Sequence, residues 1–340
     1  MLRSATTSVN ETLTAGRRVP SMARRPRSRA AGLAAGATLH WLSLSLLSAA
    51  IFAAVTVSDK QMFGRVYRSA NGLNFLVAVV NIVTGAVFLA IILPFNGMPS
   101  DYAVLVAVGS GVFWALGLTL FFYGLQVTEA SRAVPIWMSA PIFAAILAGI
   151  FLGERITVLQ WVAIIVVVVG AALASYKPLP GRNEFISVKS LAVLLLAAAL
   201  TGAAFVVNKE ATDSTGVWEV QGFRNLVMGA IMAVLAWRPG LVRELARSMR
   251  KPSHSGQFIA TEGIAAPFAA FLLILAIESG PVSLVSAVSS ARPIFLLLLT
   301  TLLSTRYWNL LNEPLDRGTL AVKGVSVVAI TAGVGALAVL

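Results

Sequence analysis

Apolar runs of about twenty residues recur along this chain, and they constrain its fold more than any other feature. A run of that length spans the hydrocarbon core of a bilayer as an α-helix, which rises about 1.5 Å per residue. The runs lack the alternation of a β-barrel, since residues 163–169 read Ala-Ile-Ile-Val-Val-Val-Val. The sequence therefore predicts an all-α membrane protein of about ten transmembrane helices, near Gly36–Val57, Leu73–Pro94, Tyr102–Leu125, Ala130–Leu152, Val158–Tyr176, Leu191–Asn208, Val217–Trp237, Phe258–Ile277, Val282–Ser304 and Leu320–Leu340.

The composition agrees with this prediction, because 58% of the residues are hydrophobic and only 12% are charged. A soluble domain needs a more polar surface than that. The net charge of +12 would indicate a nucleic-acid partner in a soluble protein. Here the basic residues concentrate in the N-terminal tail and between the apolar runs. This placement suits the lipid bilayer, with its anionic headgroups, and we expect no nucleic-acid partner.

Metal and nucleotide chemistry find little support in the sequence. The chain contains no cysteine and two histidines, His40 and His254. Disulfides and thiolate metal sites are thereby excluded, and two histidines so far apart do not form a pair of metal ligands. No Gly-rich phosphate loop ending in Lys-Ser or Lys-Thr is present. We therefore expect no metal, no cofactor and no direct nucleotide-driven pumping.

The two halves of the chain resemble each other in order. Residues 139–143 read Ser-Ala-Pro-Ile-Phe, and residues 290–295 read Ser-Ala-Arg-Pro-Ile-Phe. The first and sixth runs are each followed within three residues by a lysine, Lys60 and Lys209, so counterparts lie roughly 150 residues apart. Since five crossings are an odd number, a five-helix repeat makes the second half an inverted copy of the first. Inverted repeats are an architecture of secondary transporters, whose substrate site lies near the midplane between the halves.

The stretch Ala130–Leu173 resembles the EamA-like ten-helix members of the drug/metabolite transporter superfamily. It combines a proline-bearing fourth run with Phe-Leu-Gly-Glu-Arg at residues 151–155 and a fifth run that closes on Gly170. The second half departs from this pattern, because it lacks the Gly-Glu step and inserts a polar stretch at residues 309–318. The resemblance implies transport of metabolites, amino acids or drugs and names no single substrate.

Four segments are expected from the repeat and the resemblance. A basic tail rich in Arg and Ser, residues 1–35, cannot build a core and is expected to be disordered. Residues 36–176 form a first five-helix EamA-like repeat, residues 177–190 a linker, and residues 191–340 a second repeat. The side of the membrane that the termini face stays open, because the arginines of the tail and those of the later loops favour opposite orientations.

The charged residues within the apolar runs include three candidates for function, since a charge there costs about 2.5–3.5 kcal/mol on insertion scales. Arg292 lies near the middle of the ninth run. Its guanidinium either binds a substrate carboxylate or phosphate or forms a structural ion pair with Glu262. Arg224, in the seventh run, either faces the substrate or reaches towards the interface. Glu262, in the eighth run, either pairs with an arginine or carries a coupling proton.

Two tryptophans and two prolines complete the candidate residues. Trp114 and Trp137 lie within runs rather than at their ends, and each either lines a pocket or packs against other helices. Pro141 and Pro293 occupy matching places in the two halves and are predicted kink or hinge positions, because proline removes a backbone donor. The predicted substrate-binding residues are thus Arg292, Arg224, Glu262, Trp114 and Trp137.

The sequence predicts a transporter, not an enzyme, that moves a small polar metabolite or a drug-like molecule by alternating access. We expect a gradient to drive it, with proton coupling as one candidate, and we expect export across a bacterial or archaeal cell membrane. A translocase for a lipid or a polyprenyl-linked carrier is the alternative. A membrane-embedded enzyme or a structural membrane protein is disfavoured, since the runs hold few acids or histidines.

Overall fold

The computed structural model describes residues 27–62, 66–67, 69–128, 130–175, 187–304 and 317–339. In these residues every secondary-structure element longer than a single residue is a helix, which confirms the all-α prediction. Their bounds are α1 Arg27–Met62, α2 Ala70–Asn96, α3 Asp101–Val127, α4 Ala130–Trp137, α5 Ala140–Phe151, α6 Val158–Ser175, α7 Val188–Ser214, α8 Val217–Ala236, α9 Leu241–Ser248, α10 Pro252–Phe258, a π-helical segment Ile259–Ala265, α11 Ala266–Ser279, α12 Val282–Ser289, α13 Arg292–Ser304 and α14 Arg317–Val339.

Several predicted boundaries meet the edge of the described chain. Most of the predicted tail, residues 1–26, lies outside it, and so do residues 177–186 of the linker and residues 309–316 of the polar insertion. Helix α1 begins at Arg27, so residues 27–35 are helical although the sequence assigned them to a disordered tail. The described residues from Ala37 onwards form one unit by their contacts.

Seven helical stretches in the described chain are long and apolar enough to cross a bilayer: His40–Met62, Asn71–Asn96, Asp101–Leu125, Ala133–Phe151, Val188–Ser214, Pro252–Ser279 and Val282–Leu299. Helices α8 and α9 pass this test only together, and they meet at a bend of 109°. The apolar helices Val158–Ala174 and Gly324–Val339 are shorter. The structure therefore confirms a multi-pass helical membrane protein, whereas the predicted count of ten crossings is not confirmed.

Serines begin three of the long helices. The Ser69 hydroxyl accepts from the backbone N–H of Gly72 at 3.2 Å, and Ser100 accepts from Ala103 at 3.3 Å. Ser187 starts α7 in the same way, accepting from the N–H of Ser190 at 3.1 Å. Each hydroxyl satisfies a backbone donor that the first helical turn would otherwise leave unpaired. These caps fix where the spans start, in polar sequence just before each apolar run.

Helices that hold the same place in the two halves pack against each other. Helix α2 packs on α8, α6 packs on α14, and α5 contacts α12. Glycines permit the closest approaches, as at Gly111 on α3, where a Cβ atom would lie 2.6 Å from the backbone oxygen of Arg224 on α8. This is the small-residue packing of membrane helices. It brings the backbone that carries Arg224 directly against α3.

The fourth and ninth spans are both broken near mid-length. Helix α4 ends at Trp137 and α5 begins at Ala140, while α12 ends at Ser289 and α13 begins at Arg292. Proline is the second residue of each new helix, Pro141 in α5 and Pro293 in α13. A proline in the first turn is tolerated because its missing N–H would have no intrahelical partner there. The two repeats therefore share one interruption, at matching places.

Candidate functional site

The five residues predicted to bind substrate line a single cavity in the described structure. The cavity has a volume of about 220 Å³ and lies among α1, α2, α3, α4, α8, α11 and α13, so both repeats contribute to its wall. Charged and aromatic side chains converge there within a mostly apolar lining, as is typical of ligand sites. The residues in question are Arg224, Arg292, Glu262, Trp114 and Trp137. Their role in substrate binding stays a prediction.

Arg224 is buried in the wall of the cavity, with only 4% of its surface exposed. One terminal nitrogen donates to Oε1 of Gln221 at 3.1 Å and to Oδ1 of Asn225 at 3.0 Å. Its Nε atom is buried and has no hydrogen-bond partner among the described residues. The guanidinium is thus held by neutral amides, and its charge is not neutralised by a carboxylate of the described chain. It does not reach towards the interface, which the sequence had left open.

Arg292 enters the cavity from the first turn of α13, just after the break in the ninth span. Its guanidinium carbon lies 4.5 Å from the centre of the Phe52 ring, a cation–π contact. Its Nε atom, like that of Arg224, is buried without a hydrogen-bond partner in the part of the chain that the structure describes. Ion pairs within the described chain form elsewhere, as between Lys209 and Asp213, and neither cavity arginine takes part in one there.

Glu262 does not form the ion pair with an arginine that the sequence suggested. Its carboxyl group is in hydrogen-bond contact with that of Asp59, at the end of α1. The hydroxyl of Tyr67 also donates to Oδ1 of Asp59, at 3.1 Å. An ionised carboxylate only accepts hydrogen bonds, so a bond between two carboxyl groups requires a proton on one of them. The two acids therefore contact each other rather than either arginine, and with one shared proton the pair carries one negative charge.

The local backbone explains how Glu262 reaches this position. It lies in the π-helical segment Ile259–Ala265, which interrupts the eighth span between α10 and α11. A π-turn is wider than an α-turn and is frequent at functional sites. Gln257, at the end of α10, donates to the Ser58 hydroxyl at 3.0 Å and so ties this segment to α1. The contact between Glu262 and Asp59 thus joins the two repeats.

The two tryptophans differ in whether the indole N–H has a hydrogen-bond partner. Trp137 lies flat against Phe121, with ring centres 4.3 Å apart, and its Nε1 donates to the Thr201 hydroxyl at 3.2 Å. Trp114 contacts the ring of Phe205, and its buried Nε1 has no hydrogen-bond partner among the described residues. Trp114 therefore presents a free donor close to the cavity, whereas the donor of Trp137 is already occupied.

A smaller cavity of about 70 Å³ adjoins the first and shares Trp114, Trp137 and Arg292 with it. Pro141 lines this second cavity, together with three serines of the ninth span, Ser286, Ser289 and Ser290. The interruptions in the fourth and ninth spans therefore lie beside the two cavities. Pro293 is buried in the first turn of α13, next to Arg292.

Asp59 is the cavity residue that sequence reasoning missed. It lies two residues beyond the predicted end of the first run, where an acid is easily interpreted as the start of a loop, whereas α1 continues to Met62. Its position one residue before Lys60, which the repeat had already matched to Lys209, did not reveal its partner. The available signal was the cost of any acid within a span. Because the predicted first run stops at Val57, two residues before Asp59, the rule selected Glu262 and did not reach Asp59.

A model of the EamA-like transporter family matches the chain twice, over residues 39–176 and 188–334. The chain belongs to the EamA-like transporter family. This membership confirms the resemblance read from the sequence, and the double match confirms the architecture of two repeats. The match also agrees with the apolar helices of the structure, so the protein is an integral multi-pass membrane protein.

Two bacterial relatives are similar to part of the chain. A glucose uptake protein of Staphylococcus xylosus is 31% identical over 151 residues, which is 42% of this chain and 48% of the relative. A putative ribose uptake protein of Staphylococcus epidermidis is 24% identical over 144 residues, 41% of this chain and 47% of the relative. The matched part thus spans about half the length of these relatives. They indicate the bacterial cell membrane as the location.

A solved crystal structure shares the fold of this chain. Its TM-score is 0.63 at 17% sequence identity, and the superposition covers 88% of this chain and 97% of the other. At that identity the likeness concerns the fold alone. It extends over most of the chain, so the overall arrangement of the helices also occurs in an experimental structure.

Proposed function

We propose that this member of the EamA-like family transports a small polar metabolite by alternating access, with the cavity as its substrate site. The observation that carries the proposal is the place of the cavity beside matching interruptions in the fourth and ninth spans. Discontinuous helices at a repeat interface are typical of transporter sites, because they free polar backbone near the midplane. The inversion of the second half, inferred from its five runs, supports rocking of one half against the other.

The direction of transport is the second element of the proposal. Export was expected from the sequence, but the two staphylococcal relatives are uptake proteins by name. Their names support import of a small hydrophilic solute into the cell. A transport assay for this protein should therefore measure both directions, with the substrate placed inside or outside the vesicle.

A proton gradient is the energy source for transport that the residues of the cavity favour. The carboxyl groups of Asp59 and Glu262 are in contact, and both residues line the cavity, so the pair offers a place where one proton can be shared and released. A carrier that binds substrate and proton in one cavity couples them when the two equilibria depend on each other. We include proton coupling in the proposed function on this ground.

The test is transport by the purified protein in liposomes. A panel of labelled metabolites, including ribose and glucose, is offered in counterflow, which reports exchange in either direction. We expect at least one solute to accumulate. Arg292→Ala should abolish this transport while the protein still inserts and purifies normally. Failure of the wild-type protein to move any member of a broad panel would favour a structural role, and normal uptake by Arg292→Ala would remove Arg292 from the mechanism.

A further inference from the structure

The cavity contains more positive charge than the described chain neutralises. Arg224 and Arg292 both line it, and neither forms an ion pair within the described residues. The carboxyl groups in the cavity wall, those of Asp59 and Glu262, contact each other instead, and with one shared proton the pair carries one negative charge against the two guanidinium charges. A buried charge without a counter-charge is strongly unfavourable, and membrane proteins retain one where it has a function.

The hydrogen bonds of Arg224 define which partner its guanidinium still needs. Its amide partners, Gln221 and Asn225, occupy one terminal nitrogen and hold the guanidinium in place. Its Nε remains buried and unpaired, with the residue itself 4% exposed. An unpaired buried donor of this kind costs free energy until an acceptor arrives. The acceptor that satisfies both the charge and the donor is an anionic oxygen.

Arg292 supplies a second, independent group of the same chemistry. Its guanidinium rests on the Phe52 ring, which fixes its plane without using its donors. Its Nε is also buried and unpaired. The positive end of α13 lies at the same place, since Arg292 is the first residue of that helix. Carboxylate and phosphate oxygens are the usual partners of such a group.

The rest of the wall limits what can accompany the anionic group. Leu118, Phe122 and Met228 line the cavity beside the two tryptophans, so much of the occupant meets apolar side chains. The volume of about 220 Å³ is small for a ligand site. A compact organic molecule with one anionic group and an uncharged body fits this combination of size and chemistry.

We propose that the cavity binds a small organic anion, carrying a carboxylate or a phosphate, whose charge is neutralised by Arg224 and Arg292. The inference rests on the proposed transport function and narrows its substrate class from polar metabolites to anionic ones. It separates this chain from the neutral sugars in the names of its relatives. The anion is a water-soluble molecule rather than the headgroup of a membrane lipid.

The test measures binding by thermal shift and calorimetry on the full-length protein in a zwitterionic detergent, with no gradient present. Benzoate is compared with benzamide, and glucose 6-phosphate with glucose, so each anion has a neutral partner of nearly the same shape. We expect at least one of the two anions to raise the Tm by several degrees, and its neutral partner to have no effect. The shift should decrease as the salt concentration rises.

Substitutions then assign the binding to the arginines. Arg224→Gln and Arg292→Gln should each raise the Kd of the anion at least tenfold, while Arg224→Lys and Arg292→Lys, which keep the charge, should restore part of the affinity. Arg243→Gln is the matched control, because Arg243 lies exposed on α9 outside the cavity. The lysine variants also show whether a failure of the glutamine variants to fold is due to loss of the charge.

Four outcomes would overturn the proposal. Anions and their neutral partners could stabilise the protein equally, or the glutamine variants could bind the anions as tightly as the wild type. In a third arm, phosphatidylglycerol vesicles could stabilise the protein through the same arginines while neither soluble anion binds, which would assign the site to a lipid headgroup. Transport of neutral glucose in liposomes without binding of either anion would reject the anionic class and leave the proposed transport function standing.

Discussion

Glu154, at the end of the fourth span, accepts a hydrogen bond from the Ser283 hydroxyl at 2.6 Å, at the start of the ninth. The same carboxylate accepts from the backbone N–H of Val282 at 2.6 Å and from that of Ser283 at 3.2 Å. It thus caps the N-terminus of α12 in the opposite repeat, where a negative charge is favourable. Asn96 donates to Glu219 at 2.6 Å and Tyr102 donates to Glu210 at 2.7 Å, so two further carboxylates join the repeats.

We expect Glu154→Ala to loosen the contact between the repeats. Charge-assisted hydrogen bonds contribute about 1.5–3 kcal/mol each, so a net loss of about 2 kcal/mol would shift an open–closed equilibrium roughly thirty-fold. The chain has no cysteine, so a single Ser289→Cys in the smaller cavity can report access to an impermeant thiol reagent. Labelling should accelerate in the Glu154→Ala background.

The matched control for this prediction is Glu278→Ala. Glu278 is an exposed acid four residues before Val282, and its side chain makes no hydrogen bond to the described residues. Its replacement should leave the labelling rate unchanged. Equal rates in the two backgrounds would mean that the contact between Glu154 and Ser283 does not control access to the cavity.

The close approach of α3 to α8 predicts a contrast between two glycines on one helix. At Gly111 a Cβ atom would lie 2.6 Å from the backbone oxygen of Arg224, whereas at Gly109 it would meet only Cγ1 of Val207 at 3.7 Å. Gly111→Ala should therefore destabilise the protein by about 1–3 kcal/mol and weaken transport, because α8 must move. Gly109→Ala should be neutral or stabilising by about 0.5–1 kcal/mol, the gain in helix propensity.

Thermal unfolding in detergent, with transport measured in parallel, checks this contrast. Both substitutions add one methyl group to the same helix, so they share any general effect on helix stability. A similar loss in the two variants would show that the contact at Gly111 does not position Arg224.

The interruption at Pro293 is expected to serve movement rather than affinity. The Pro293→Ala substitution supplies a backbone N–H at residue 293. This N–H can form a helical hydrogen bond across the break, so α12 and α13 can become a more nearly continuous helix. We expect turnover to fall roughly tenfold, about 1.4 kcal/mol in the barrier, with substrate affinity little changed. Pro94→Ala is the control, because Pro94 lies near the end of α2 and outside the cavity. Unchanged turnover in Pro293→Ala would exclude a hinge at this position.

Much of the fold and part of the site could be predicted from the sequence. Arg224, Arg292 and Glu262 were identifiable because charge is costly within an apolar run, and they do line one cavity. Their pairing could not be predicted, because it depends on how the helices rotate. Glu262 meets Asp59 through a π-helical segment, and no periodic pattern in the sequence indicates an extra residue in a turn.

The count of crossings shows a second limit. The predicted run Val217–Trp237 has the length of a span. In the structure, however, α8 is long and apolar enough to cross a bilayer only when it is taken together with α9, and the two helices meet at a bend of 109°. The helix α9 turns aside because Leu241 and Leu245 pack into a cluster with Met62, Tyr67 and Phe258. Apolar length predicts that a segment is a helix. It does not predict which apolar surface, lipid or protein, that segment will meet.

The buried Tyr67, between the first and second spans, predicts a dependence of stability on pH. Burial, and then the neighbouring Asp59, raise the pKa of its hydroxyl above the ordinary value of 10.0. The native state therefore keeps this proton where the unfolded chain releases it, and the resulting stability is present below pH 10.0 and lost as the pH rises above it. Tyr67→Phe should cost about 1 kcal/mol at neutral pH, for the hydrogen bond to Asp59.

Thermal unfolding of both proteins from a pH of about 8 to about 11 measures this effect. The difference between their free energies of unfolding should decrease above pH 10.0. The wild type loses stability there because its unfolded chain releases the tyrosine proton, whereas the phenylalanine of the variant has no proton to release. A difference that stays constant over the range would mean that Tyr67 titrates alike in the native and unfolded states.

The carboxyl pair of Asp59 and Glu262 predicts how transport couples to protons. Glutamine can donate the hydrogen bond that a protonated Glu262 donates, so Glu262→Gln should preserve the contact with Asp59 and the fold. It cannot release a proton, so substrate counterflow should persist while substrate movement no longer changes the pH inside proteoliposomes. Asp213→Asn, at an exposed acid paired with Lys209, is the control and should keep the pH signal. A pH signal of full size in Glu262→Gln would place the coupling proton elsewhere, and loss of counterflow would show that the charge of Glu262 is needed for substrate binding itself.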